Sequence, residues 1–339
     1  MAVNPLNYSE NISIHSNVGI NSKTRKIFFP VIVLPLFAFV LALHLHLTLP
    51  NNQEFNIRYT YAAVLATAAV LYLVLCLLSL KIETLSRKLK HFVPLVTVAV
   101  LLLELWDLAT LKFALLELPY FPGPDKVLSV FRDDWQLLLI STLHSIRLMF
   151  IAYLIGVSLG LVTGITMGWS KKVNYWLTPF LRIIGPIPAT AWIPVAMVVF
   201  PNTFSASVFL IVLAVWFPVT VMTSSGIANV RNSFFEVAKT LGADRKYLIF
   251  KVAIPAAYPN IFIGLFMGMG SSFLTLIVGE MLGVKAGLGW YINWAQGWAE
   301  LHKVYASLIL MAVMFSSLLT LLFKFKDRVL IWQKGLIKW

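Results

Sequence analysis

The chain has 339 residues, of which 59% are hydrophobic and only 12% charged, with a mean hydropathy of +0.84. A soluble domain carries about 25% charged residues and fewer than half apolar ones, so a water-soluble protein is excluded and a polytopic membrane protein is left. The net charge of +13 is an orientation signal and not a nucleic-acid footprint, and the one cysteine, Cys76, excludes both an internal disulfide and a thiolate metal cluster.

The first 26 residues are polar, and the apolar run after them is too long for the core of a cleavable leader, so no signal peptide is expected. Eight stretches approach or exceed the ~20 residues that a helix needs to cross a bilayer. They are 27–49, 59–80, 92–111, 148–169, 175–200, 206–225, 258–282 and 305–323. An even number of spans puts both termini on one side. That side carries nineteen of the 27 Lys and Arg residues and the opposite side six, with Arg147 and Arg182 at or inside span ends. Cationic loops stay in the cytoplasm, so both termini and the 231–255 loop are expected there.

Residues 1–91 hold two plain apolar spans, and the second contains neither charge nor glycine. They read as an accessory hairpin. His44 and His46 are two apart, which on a helix points them to different faces, so no metal site is expected. From Phe92 onward prolines, glycines and polar residues gather inside the spans, where only neighbouring helices or a watery cavity can satisfy freed backbone groups. Residues 92–339 are therefore the expected working core. Glu104 and Asp107 share a helix face and need a partner or water, with Asp107 near enough to the span end to be interfacial. Arg147 precedes a long uncharged run and suits snorkelling at the outer leaflet.

Gly156, Gly160, Gly164 and Gly168 recur every four residues and clear one side of a helix. The stripe allows close backbone approach by a second helix, or else lines a substrate groove. Gly185, Pro186, Ile187 and Pro188, followed by Trp192 and Pro194, should break the fifth span. Broken spans in transporters often line the path; the alternative is a kink that only shapes the bundle. Between the sixth and seventh spans lies the stretch EVAKTLGADRKYLIFKVAIP, 236–255, with six charged residues. It reads as two short helices bent at Gly242, closed by Pro255, with Ala238, Leu241 and Ala243 as a small apolar surface. Either this is a docking knob or a solvated loop that fixes topology. Glu280, near the outer end of the seventh span, is a candidate for a gate or a helix-end interaction. Trp290, Trp294 and Trp298, with Tyr291, suit a helix lying at the outer interface, with a lid over the path as the alternative.

Glu236, Ala238 and Gly242, then nine residues, then Val252, Ile254 and Pro255, resemble the E-A-A-x3-G-x9-I-x-L-P loop of ABC importer permeases, with conservative departures at Val237, Val252 and Ile254. FPGPDKVL (121–128), GPIPATAWIPVAMVVF (185–200) and GEMLGVKAGLGWYI (279–292) resemble the nitrate, sulfonate, taurine and bicarbonate branch of that family. The resemblance covers residue 92 to the C-terminus. It implies an all-α membrane fold of about eight helices: an importer permease core with an added N-terminal hairpin. It also implies a bacterial inner-membrane location and no enzymatic activity of the chain's own.

No G-x-x-x-x-G-K-[ST] loop occurs in the chain, so ATP and Mg would sit on a separate cytoplasmic ATPase docked at 231–255, and this chain would bind no cofactor. The implied partners are that ATPase, an extracytoplasmic solute-binding protein, a second permease copy and membrane lipid, with no nucleic acid. Gly185, Pro186, Pro188, Trp192 and Glu280 become path or gate candidates. The implied cargo is a small anion or organosulfonate, or alternatively a heteroaromatic vitamin or precursor. An ion-coupled carrier would show a matching second broken span, and a membrane enzyme a cluster of catalytic groups; neither pattern is seen.

Overall fold

In lipid every backbone N–H and C=O needs an internal partner, so apolar runs of this length form helices. The computed structural model describes residues 22–52 and 59–331, with side chains from residue 32 onward, and contains no strand among them. The polar N-terminal segment, Arg58 and the last basic residues, all part of the charge count, lie outside the described residues.

The chain divides into two compact units, 1–129 and 130–339. In the first, α1 (Ser22–Thr48), α2 (Thr60–Ser79) and α3 (Glu83–Asp107) pack together, joined by a π-helical turn Leu108–Lys112 to the region before α4 (Pro124–Asp133). Ile32, Phe39, Leu65, Tyr72 and Val100 form their core. Composition changes at Phe92, but α3 buries Val100 with the first two helices, so contact and composition divide the chain at different places. Asp107 is fully buried and not interfacial; its carboxylate bonds His46 Nδ1 at 2.8 Å. Lys112 donates to the Leu49 carbonyl and to Asn51, each at 2.9 Å, and to the His46 carbonyl, tying off the end of α1. No metal-binding group of side chains occurs among the described residues.

In the second unit, α5 (Trp135–Trp169) is followed by α6 (Lys171–Ile184), a 3-10 turn Ala189–Trp192, α7 (Ile193–Val199) and α8 (Thr203–Ala228). Next come α9 (Asn232–Thr240), α10 (Arg245–Tyr247), a π-helical stretch Leu248–Ala253, α11 (Ile254–Met281), α12 (Leu288–Gly297) and α13 (Leu301–Val329). Among the described residues six helices are long and apolar enough to cross a membrane. A pair bent by 86°, α6 with the 190s segment, supplies a seventh crossing, and α1 stands where the first expected span lies.

Packing fixes the direction of each helix. A Cβ added at Gly156, Gly160, Gly164 or Gly168 would lie 2.6–2.8 Å from the Cβ of Val215, Val219, Thr223 or Ile227 in turn. The offset is the same at all four, so α5 and α8 run parallel, and the glycine stripe faces α8 and not an open groove. Gly226 meets Asn260, Gly264 meets Met222 and Gly279 meets Ser207. Numbers that rise on α8 fall on α11, so that pair is antiparallel. Because α5 and α8 point the same way, the chain between them must return across the layer, and α6 with α7 makes that crossing. Phe273 on Phe315 and Phe266 on Phe323, with ring centroids 3.9 and 4.2 Å apart, seat α13 against α11.

Candidate functional site

The loop after α8 is built by local rules. In α9 the helix ends in a Schellman closure: Ala243 N–H donates to the Ala238 carbonyl at 3.0 Å and Gly242 N–H to Lys239 at 2.9 Å. That closure needs the left-handed conformation at Gly242, whose φ is +83°. Two residues on, the Asp244 carboxylate accepts from Tyr247 N–H at 2.9 Å and starts the next helix. The second helix is not a separate short element. It runs from Arg245 through the π-helical stretch into α11 as one 37-residue rod. Wide i→i+5 turns before Ile254 absorb the N–H that Pro255 lacks, so Pro255 lies inside the rod and does not close it.

Phe235 turns inward onto Trp169, with ring centroids 5.8 Å apart. Ala238 and Ala243 are half-buried, while Glu236 is exposed. Leu241 is 82% exposed, Val237 60% and Phe234 51%, and their spacing puts them on one face of α9. Phe234 and Val237 escape a reading that looks for small residues; the i, i+3, i+7 spacing from Phe234 is the signal that finds them.

Pro186 and Pro188 have no N–H to continue α6, and the chain turns at Gly185, where an added Cβ would fall 2.3 Å from the Phe217 ring. A cavity of about 430 Å³ lies between this break, α8 and α11. Gly185, Pro188 and the hydroxyls of Thr190, Ser271 and Thr275 line it, with no charged group among its lining residues. Pro186 lines a second cavity of about 680 Å³, which also receives Arg182. Trp192 lines neither cavity; it packs with Ala196, Ala206 and Leu210, its indole N–H buried without a partner among the described residues.

Glu280 is fully buried at the end of α11 and touches neither cavity. Its Oε2 accepts from Gly289 N–H at 2.8 Å and from the Ser145 hydroxyl at 2.9 Å, while Ser145 Oγ accepts from Leu288 N–H at 2.9 Å. The carboxylate and the Ser145 hydroxyl it holds thereby satisfy one N–H each in the first turn of α12, and the carboxylate faces the positive end of that helix's dipole. Gly287, at φ +144°, leaves room for it: an added Cβ would meet Glu280 Oε1 at 2.5 Å. A second clamp holds the other side of α12. Tyr291 donates to Asp134 at 2.7 Å, and Lys303 bridges Asp134 at 3.1 Å and Glu300 at 2.9 Å. Burial works against the Asp134 carboxylate, but the Tyr291 hydroxyl and Lys303 ammonium outweigh it and hold its pKa below the usual range. Burial, then the carboxylate, pushes the Tyr291 hydroxyl up. Trp290 and Trp294 stack with centroids 6.3 Å apart on α12, whereas Trp298 lies past its end and is exposed.

The family model described as binding-protein-dependent transport system inner membrane component matches residues 156–330, which hold the glycine stripe, the α9 loop, both cavities' break and Glu280. SsuC, a Bacillus subtilis permease protein named for aliphatic sulfonates transport, is 36% identical over 163 residues, 48% of this chain and 59% of that protein. The taurine transport system permease protein TauC of Escherichia coli is 30% identical over 247 residues, 67% of this chain and 88% of that protein. Among solved structures, a chain of an amino acid ABC transporter with histidines is similar in fold, with a TM-score of 0.50 at 21% identity. That likeness covers 59% of this chain and 97% of the other.

Proposed function

The chain belongs to the family of binding-protein-dependent transport system inner membrane components, and from that premise we propose that it forms the cargo path of an ABC importer and seats the ATPase on α9. It is a multi-pass permease subunit. The observation that carries the docking reading is the outward face of α9. Three large apolar side chains, Phe234, Val237 and Leu241, stand more than half exposed on a charged loop that is too polar to lie in lipid. A loop that served topology alone would need only its basic residues. An apolar face ringed by charge is the make-up of an interface core with its rim. Gly242 holds the closure that aims this face, and Ala238 and Ala243 let a partner approach the bend.

In this reading the termini and α9 are cytoplasmic, a binding protein delivers cargo from the opposite side, and a second copy of the chain completes the path. Two half-paths related by symmetry would place the broken α6–α7 segments and the 430 Å³ cavities beside the passage. The cargo is a small organosulfonate or comparable anion, the class in the names of the taurine and sulfonate relatives.

The docking reading is tested with Gly242→Val and Ala243→Trp. A β-carbon in the left-handed conformation costs roughly 1–2 kcal/mol, and Trp at 243 fills the space beside the knob. Both variants should insert normally yet fail to co-purify with the ATPase encoded beside the gene. Normal co-purification and transport in both would return the loop to a topological role.

A further inference from the structure

We propose that Arg182 is an anion-binding waypoint on the inner half of the cargo path, suited to a sulfonate or similar oxyanion; this rests on the permease reading above. The residue stands eleven positions into α6, about 16 Å along a helix axis from Lys171. One turn further on, Gly185 closes against Phe217, itself eleven positions or roughly 16 Å from the inner end of α8. Arg182 thus stands level with the middle of α8, its side chain exposed on the chain, and not at the helix end where Lys171 and Lys172 already sit.

A cation at such depth is expected to face a partner or water. Among the described residues Arg182 has no hydrogen bond and no ion pair, and no carboxylate lines the cavity it enters. That cavity measures about 680 Å³, within the ordinary range for small-ligand sites. Its polar lining comes from the hydroxyls of Thr178, Ser224 and Ser225, and Phe217 and Val221 supply apolar wall. Of the groups lining the two cavities beside the broken helix, Arg182 is the one charge. The planar guanidinium presents a fork of N–H donors that matches two oxygens of a sulfonate, and the hydroxyls can donate to the third. An unpaired arginine offers an anion a stop without a cage, which conduction requires.

The test needs neither the ATPase nor the native cargo. Cys76→Ala removes the chain's single thiol, and Ser225→Cys puts an exposed one beside Arg182. In the full chain in dodecyl maltoside, its reaction rate is measured with the anionic 2-sulfonatoethyl methanethiosulfonate and the cationic 2-trimethylammonioethyl analogue. Arg182→Gln should lower the anion-to-cation rate ratio about tenfold, Arg182→Lys by much less, at the separations such a cavity allows. Free methanesulfonate should slow the anionic reagent only where Arg182 is present. A ratio unchanged by Arg182→Gln overturns the proposal. Repeating the measurement in phosphatidylglycerol nanodiscs separates the sources of anion. Preference retained there supports the waypoint, and preference seen in detergent but lost in the nanodiscs means that a lipid phosphate holds the guanidinium, which also overturns it. Labelling and ATPase co-purification read different residues, so either can fail while the other stands.

Discussion

Gly160→Ala adds one methyl group to the α5–α8 seam, and the structure sets its consequence. The new Cβ would lie 2.7 Å from both Cβ and Cγ1 of Val219 and 3.2 Å from the Trp216 carbonyl oxygen. Ordinary carbon–carbon contact is about 3.5–4.0 Å. Val219 is fully buried and β-branched, with little rotamer freedom to turn away, so the helices must part by roughly 1 Å. Overpacking of this kind costs about 1–3 kcal/mol. Parting also loosens the contacts at Gly156, Gly164 and Gly168, since a gap of that size forfeits roughly a quarter to a half of each dispersion contact. Against these, alanine gains up to ~1 kcal/mol in helix propensity. The net expectation is a loss of about 1–3 kcal/mol. Gly270 is the internal control. It lies in α11 with nothing within 4 Å of an added Cβ, so Gly270→Ala should be neutral or stabilising by up to ~1 kcal/mol. Thermal unfolding of the detergent-solubilised chain, followed by tryptophan fluorescence, compares the two. If Gly160→Ala melts with Gly270→Ala, the seam is not close-packed and the reasoning fails.

Glu280→Ala leaves the Gly289 N–H and the Ser145 hydroxyl buried without their acceptor, at about 1–3 kcal/mol; Glu280→Gln keeps one oxygen and should lose less in the same melt, and equal losses would remove the carboxylate's capping role. Asp134 is held below its usual range, so its contribution is complete above the unfolded carboxylate value of about 3.9 and fades as pH falls through the lower folded value. The stability gap between the native chain and Asp134→Asn should therefore be constant above about pH 5 and close below about pH 4; a gap that widens on acidification would contradict the clamp. A reporter active only outside the cytoplasm, fused after Trp339, should be silent, and a strong signal there would invert the orientation.

Features that depend on near neighbours in the chain were readable from the residues. The apolar runs, the every-fourth glycine pattern and the proline break at 185–188 are periodic or local, and Gly242 carries its own conformational requirement. The partners of Glu280 were not readable. Ser145 is 135 residues away, and nothing in either segment marks the pair. A buried carboxylate near a span end looks the same whether it gates a path or caps a helix. Arg182 likewise appears as one more cation near a span boundary until the fold sets it on the wall of a cavity beside the 86° bend. The π-helical stretch before Pro255 hides for a different reason: a proline in an apolar run signals a boundary, and only the tertiary setting shows that wider turns carry the helix past it.

The parallel pairing of α5 and α8 makes the two helices a single beam. Four interlocked glycines, from Gly156 to Gly168, span roughly 18 Å of shared seam and resist sliding the way a rack resists slip along its teeth. Three residues after α8 ends, α9 begins, and Phe235 on α9 rests on Trp169 at the tip of α5. A push delivered to α9 therefore loads both helices together, with little play at the joint. The α8 arm is 26 residues long, roughly 39 Å. Tilted by about 10° around its middle, it would carry its far end some ~3 Å, a stroke comparable to the width of a water molecule, while the seam itself stays unchanged.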